Sequence, residues 1–329
     1  MILASDARAR NGVESAALII DPPQVEEDIS RRRSVLDDQG GARNVPEVRL
    51  EVADTLLAAY RLSRKKGNVA ILNMASPLRP GGGVLNGATS QEESLCVTTT
   101  LLPTLKEEWY RLPDVGGIFS PDVCVFRLPG NGEEVERELG KMQRFHVGLV
   151  SAAMLRFPDV VEGNQGMRYA NEQDREIVGR KMRAVLRILK SKGVERVVLG
   201  AWGCGAYGNP VEEIAKAWKR VILGSQKKAQ VRDGEEGCYG LKEIVFAIKE
   251  RKIAEQFAAH WGLEFEADDE RLPGSDVDER EADAQNELTS KIQELEIQIS
   301  QTQIPMVRER LENILSGLQA QLAETQSSK

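Results

Sequence analysis

The chain has 329 residues, 41% of them apolar and 29 of them glycine, an ordinary globular composition with enough apolar surface for a sizeable core. Its formal charge is −7, but Glu264 to Asp283 alone holds ten acids and two bases. The remainder is close to neutral and does not attract polyanions by bulk charge. Four dispersed cysteines, two histidines and the lack of any uncharged apolar run of membrane length argue against a disulfide framework, a structural zinc site, multi-histidine chemistry and a membrane span. Met1 to Arg10 is too charged for a signal peptide. The expectation is a soluble intracellular protein, cytoplasmic or nuclear, without a membrane partner and without direct nucleic-acid binding.

Residues 1–45 read as a partly ordered lead-in, with Arg31–Arg33 and a Gln39-Gly40-Gly41 break. From Pro46 the pattern sharpens. Val48, Leu50 and Val52 alternate as a strand, and Asp54 N-caps a helix through Leu56, Leu57, Tyr60 and Leu62. Asn68–Asn73 reads as a buried strand, followed by a glycine-rich loop to Ser90 and a helix from Gln91 interrupted at Pro103. Short strands are expected at 117–119, 122–127 and 145–151. A polar loop then leads to Asn171, the N-cap of a helix with the stripe Ile177, Val178, Met182, Val185, Leu186 and Leu189. Val194–Gly200 is a further strand, Pro210 opens a helix, Leu241–Ile248 is a strand and Ile253–Trp261 a last helix. Alternating strands and helices predict an α/β sheet covered on both faces. The acidic stretch 264–286 reads as a solvated linker. Leu288, Ile292, Leu295 and Ile299, then Val307, Leu311, Ile314 and Leu318 beyond Pro305, predict a helical hairpin or short coiled-coil segment over 287–326 that packs on the body, on a second copy of the chain or on a partner helix.

Two constellations carry chemistry. The first is Arg79-Pro80-Gly81-Gly82-Gly83-Val84 followed by Gln91-Glu92-Glu93. Consecutive glycines let the backbone approach a ligand and expose its N–H groups, and two glutamates at a helix entry offer one carboxylate for a sugar hydroxyl and one for acid–base work. The competing reading is local, because Ser90-x-x-Glu93 fits a capping box and acids favour a first helical turn. The second is Gly203-Cys-Gly-Ala-Tyr-Gly208, which has the Gly-x-Gly-x-x-Gly spacing of dinucleotide sites. It lies too late in the chain for a first βα unit, and its helix runs into a polar loop. Glycines at a helix N-terminus still make a diphosphate cradle, beside which Tyr207 packs on a ribose or base. No Gly-Lys-Ser/Thr follows either loop, Asp122 reads as a turn residue, and His146, within an alternating strand, reads as structural.

Leu72-Asn-Met-Ala-Ser76, the triple glycine, Gln91-Glu-Glu93 with Ser94-Leu-Cys96, Phe119 to Phe126, and Leu199 to Pro210 together resemble the microbial-type poly(ADP-ribose) glycohydrolases over residues 46–262. The resemblance implies a three-layer macrodomain-like mixed sheet between helices, spanning 46–263, that binds ADP-ribose without metal or cofactor. It implies Glu93 as catalytic acid and Glu92 as holder of the distal ribose. Asn73, Ser76, Gly81, Gly82, Gly83, Val84 and Gln91 would line the substrate site, with Gly203, Gly205, Ala206 and Tyr207 at the diphosphate. Met74 stands where the family more often has Phe. The implied activity is hydrolysis of ribose–ribose O-glycosidic bonds in poly(ADP-ribose), free or on ADP-ribosylated proteins. A non-catalytic ADP-ribose reader and a dinucleotide-dependent oxidoreductase are the alternatives.

Overall fold

The computed structural model describes residues 2–23, 46–129, 137–163, 166–224 and 240–263, the backbone of 265–267, and scattered positions from 299 to 319. Residues 1–268 form one compact unit and 269–329 a second. In the second, positions 299, 308, 311, 312, 315–317 and 319 are helical. The expected acidic linker begins later than its sequence suggests, because Phe265–Ala267 forms an edge strand of the main sheet beside Leu50–Val52. The rest of it and most of the expected hairpin lie outside the described residues.

In chain order the first unit contains α1 (Ile2–Ser5), α2 (Ala7–Glu14), β1 (Ala17–Ile20), β2 (Glu47–Val52), α3 (Thr55–Ser63), β3 (Val69–Met74), α4 (Gln91–Thr98), β4 (Gly116–Val125), the short pair β5 (Arg127–Leu128) and β6 (Arg137–Glu138), β7 (Phe145–Ala152), the hairpin β8 (Val160–Gly163) and β9 (Gly166–Tyr169), α5 (Glu172–Ser191), β10 (Arg196–Leu199), α6 (Val211–Leu223), β11 (Glu243–Ala247), α7 (Arg251–Trp261) and β12 (Phe265–Ala267). Eight strands form one sheet in the order β1-β4-β7-β3-β10-β11-β2-β12. Neighbours from β7 to β12 pair parallel, whereas β4 runs antiparallel to both β7 and β1.

The inner strands are apolar on both faces, as parallel strands between helices must be. Leu72, Val150, Leu199 and Phe246 pack against Val185 and Leu189 of α5, Trp218 of α6 and Phe257 of α7. On the opposite face α3 lies over β3, β7 and β10, and α4 over β3. Asp54 caps α3 as its sequence position predicts, accepting from Leu56 N–H at 2.8 Å. Asn171 precedes α5 but makes no side-chain cap.

Three differences from the sequence reading have local causes. Residues 2–20, read as lead-in, hold α1, α2 and the edge strand β1, whose Ala17–Ile20 pairs with Phe119–Gly116. The two strands expected at 117–119 and 122–127 are one strand, β4, with a register shift between Ser120 and Val123 and Asp122 at φ +50°. Asp122 there pairs with Arg8 at 2.6 Å, and Gly12 of α2 lies so close that a Cβ would meet Pro121 O at 2.2 Å. The polar stretch before α5 contains the β8–β9 hairpin, whose outward faces gave no apolar alternation to read. His146 pairs with Asp6 at 2.8 Å and fixes the start of α2 to the sheet, a structural role as expected.

Candidate active site

Both glycine loops leave the C-terminal ends of the adjacent parallel strands β3 and β10, the edge of an α/β sheet where ligands gather. The first loop runs from β3 to α4. The second joins β10 to α6.

Glu92 and Glu93 open α4, and both are buried. Glu92 Oε2 accepts from Ser76 N–H at 2.7 Å, while its Oε1 is buried with no hydrogen-bond partner. Burial pushes the Glu92 carboxyl up to about 7, and the Glu93 charge adds to that, against the lowering contacts of Ser76, Asn73 and Gly81. Glu93 goes the other way. Burial alone would raise it, but the Ser90 hydroxyl and the Gly83 N–H, which donates to Oε1 at 2.7 Å, hold it below the usual carboxylate range. Ser90 therefore does not complete a capping box: its hydroxyl donates to the Glu93 carboxylate, and no side-chain cap is made. The raised carboxyl of the pair is Glu92, not the Glu93 that the resemblance names as the acid.

The glycines are required by this packing. Gly81 and Gly82 lie at φ +64° and +56°. A Cβ on Gly82 would stand 2.5 Å from Glu93 Oε1 and 2.8 Å from Glu92 Oε2, and one on Gly81 2.8 Å from Leu102. Within the protein, the triple glycine admits the carboxylates. Gly82 and Val84 N–H groups close local turns onto Arg79 and Gly81 carbonyls.

Gln91, expected at the ligand, is engaged with β3. Its Oε1 accepts from Met74 N–H at 2.8 Å, and its Nε2 donates to Leu72 O at 3.0 Å. Asn73 is fully buried and donates to Ser151 Oγ at 3.0 Å, leaving Oδ1 buried and without a partner. Tyr110 was not singled out from the sequence. Its hydroxyl is buried without a partner, and burial with the nearby Glu92 charge pushes its pKa up. Nothing around Tyr110 in sequence signals that position.

In the second loop, Gly203 lies at φ +79°, where a Cβ would meet Asn209 Nδ2 at 2.6 Å and Met154 at 2.8 Å. Asn209 holds the loop, donating to Leu155 O at 2.8 Å and Gly203 O at 3.0 Å and accepting from Tyr169 OH at 2.8 Å. Gly205 and Ala206 are exposed, and a Cβ on Gly205 would meet nothing within 4 Å. The N–H groups of Gly205, Ala206 and Tyr207 find no acceptor among the described residues, which leaves three successive donors available to an anion. The Tyr207 hydroxyl reaches Ser76, which links the two loops. Beside them a cleft of about 250 Å³ opens between Asp54, Met74, Gln91, Ala201, Ile248 and Ile253. No helix among the described residues is long and apolar enough to cross a membrane.

Residues 34–128 match the family described as microbial-type PARG, catalytic domain. Among curated proteins, no relative matches. Solved structures do. A poly(ADP-ribose) glycohydrolase point mutant from Thermomonospora curvata aligns at 23% identity and TM-score 0.56, covering 77% of this chain and 88% of that one. The same organism's enzyme bound to the inhibitor ADP-HPD aligns at 24% and 0.54, covering 77% and 86%. The enzyme from Deinococcus radiodurans in complex with ADP-ribose aligns at 23% and 0.55, covering 77% and 97%. In its matched segment and in its macrodomain-like fold, the chain is similar to the microbial-type poly(ADP-ribose) glycohydrolases.

Proposed function

We propose that the protein is a glycosidase that hydrolyses ribose–ribose O-glycosidic bonds in poly(ADP-ribose) and releases ADP-ribose. The observation that carries this reading is the Glu92–Glu93 pair beneath the triple glycine, where Glu92 Oε1 and Asn73 Oδ1 are buried acceptors without protein donors. Buried acceptors of this kind are costly unless a ligand supplies the hydrogen, and ribose hydroxyls do so. The free N–H groups at Gly205, Ala206 and Tyr207 would take the diphosphate at the N-terminal side of α6. The cleft between Asp54 and Ile253 would take the base.

In this reading Glu93 protonates the leaving 2′-oxygen as an oxocarbenium-like ribose forms, then deprotonates the attacking water. Glu92 holds the distal ribose, with Ser76 fixing its carboxylate. Gly81, Gly82, Gly83 and Val84 shape the wall against which that ribose lies, and Gln91 holds α4 against β3. A second assignment, with Glu92 as proton donor, is favoured by its carboxyl near 7, the range suited to a general acid. The substrates are free polymer or ADP-ribosylated proteins, inside the cell.

The test is incubation with poly(ADP-ribose) without added metal, reading free ADP-ribose, with Glu93→Gln and Glu92→Gln alongside. Loss of a positioned acid costs ~10²–10⁴ in rate, so the variant with the larger loss in turnover identifies the donor. Binding of ADP-ribose without cleavage by the wild type would make the protein a reader. Preference for NADH over ADP-ribose would restore the oxidoreductase alternative.

A further inference from the structure

Beyond Tyr207 the rim of the site carries an arrangement that folding does not account for. Phe157 follows β7 with 68% of its surface exposed and its backbone at φ +51°, a conformation strained for a bulky residue. It is held there. Phe157 N–H donates to Tyr207 O at 3.0 Å, and the two rings stand 6.4 Å apart at 60°. The guanidinium of exposed Arg156 lies 5.6 Å from the Phe157 ring and 5.5 Å from the Tyr207 ring. No carboxylate among the described residues pairs with Arg156. An outward aromatic face with an unpaired cation beside it is the chemistry that takes a nucleobase by stacking and a phosphate by charge.

Position gives the shelf its partner. Tyr207 reaches Ser76, whose N–H holds the Glu92 carboxylate, so the shelf begins one side chain from the reacting pair. The sheet order puts the cleft after β2 and β11 on one side of β3 and β10, and Phe157 after β7 on the other. A polymer with one unit in the cleft and its distal ribose at Glu92–Glu93 leaves the site over β7. We propose that Arg156, Phe157 and Tyr207 form a subsite for the adjoining ADP-ribosyl unit on the leaving-group side of the scissile bond. Its adenine stacks on Phe157 and its diphosphate lies beside Arg156. The proposal rests on the glycohydrolase reading and adds that the protein grips the polymer on both sides of the bond.

The test uses Phe157→Gly, which removes the ring while keeping a residue at ease with positive φ, and Arg156→Gln. Turnover of poly(ADP-ribose) and affinity for free ADP-ribose are measured in parallel. Removing a stacked base contact is expected to lower kcat/KM on the polymer about tenfold or more, with ADP-ribose affinity unchanged. Unchanged kcat/KM in both variants overturns the subsite, and so does a parallel loss of ADP-ribose affinity, which would place these residues at the cleft unit. The same substitutions in a Glu93→Gln background, read by retention of uncleaved polymer, separate the two claims. If the wild type releases no ADP-ribose yet the variants lose polymer, the glycohydrolase reading fails and the shelf stands. If a single-stranded oligoadenylate displaces polymer equally well and depends on the same residues, the shelf reads nucleic acid and the proposal is overturned.

Discussion

Gly82→Ala probes whether the triple glycine serves the carboxylates. The backbone at φ +56° costs an L-residue about 1–2 kcal/mol. The new methyl would lie 2.5 Å from Glu93 Oε1, and ordinary contact begins at 3.4 Å, so that oxygen must retreat by about 0.9 Å, the difference of the two. Carboxylate tips end flexible side chains and can move, so the contact adds little to the stability loss. It acts instead on geometry, where a misplacement of about 1 Å costs ~10² in rate. The expected variant melts roughly 2–8 °C below the wild type and releases ADP-ribose about a hundredfold more slowly. Gly87→Ala is the control: Gly87 lies at φ +76° in the same loop, with nothing within 4 Å of a Cβ. It should lose similar stability and keep its turnover. Near-normal turnover in Gly82→Ala, or an equal loss in Gly87→Ala, would refute the reasoning.

Three further outcomes follow from the charges. The Glu92 carboxyl is raised to about 7 in the folded chain, so its contribution to stability is present below its ordinary pKa and is lost as pH rises through 7. Urea unfolding should show stability falling between pH 5 and 8 by up to roughly 3 kcal/mol from this group, and Glu92→Gln should flatten that slope. Ser90→Ala removes the hydroxyl that holds Glu93 down. The alkaline limb of kcat, which reports the bound enzyme, should move up if Glu93 donates the proton, and an unmoved limb transfers that role to Glu92. Glu243 is buried among Arg49, Lys65 at 2.7 Å and Arg196 at 3.3 Å; burial alone would raise its carboxyl, but Lys65 and Arg49 hold it below the usual carboxylate range. Glu243→Gln should cost about 3–5 kcal/mol at neutral pH and remove the destabilisation that the wild type shows as pH falls through the Glu243 pKa; equal stability of the two proteins at pH 7 would contradict this.

The sheet and the two loops were legible because they rest on local rules. Buried parallel strands are apolar runs, Asp54 caps its own helix, and a glycine at positive φ leaves its mark in the sequence. What was not legible depends on partners distant in the chain. The Gln91 amide binds the backbone of β3, seventeen residues upstream, and Gln91-Glu-Glu93 by itself does not show which member is structural. The bulge that fuses two strands into β4 follows from α2, more than a hundred residues earlier. Tyr110 and Phe157 sit in stretches without pattern, and only burial of the one and exposure of the other single them out. The direction of the Glu92 shift was unreadable for the same reason: adjacency says that two carboxylates repel, and only three-dimensional burial says which one yields.

That inversion bears on how such a pair would work. In the free protein the proton belongs with Glu92, because Oε1 lacks a donor and burial penalises the anion. A ribose hydroxyl donating to Oε1 would remove much of that penalty and favour Glu92 as the carboxylate. The charge so created lies beside Glu93, and the incoming diphosphate adds to it. Both raise the Glu93 carboxyl against the pull of Ser90 and Gly83. Substrate binding would therefore shift the shared proton onto the residue nearer the Gly83 wall, arming the acid only when a sugar is present. The profile of kcat/KM reports the free enzyme and that of kcat the bound one. Glu92→Gln should therefore remove the upper limb near 7 from the first profile and weaken substrate binding. A limb that persists in kcat/KM without Glu92 would mean that Glu93 already holds the proton before substrate arrives.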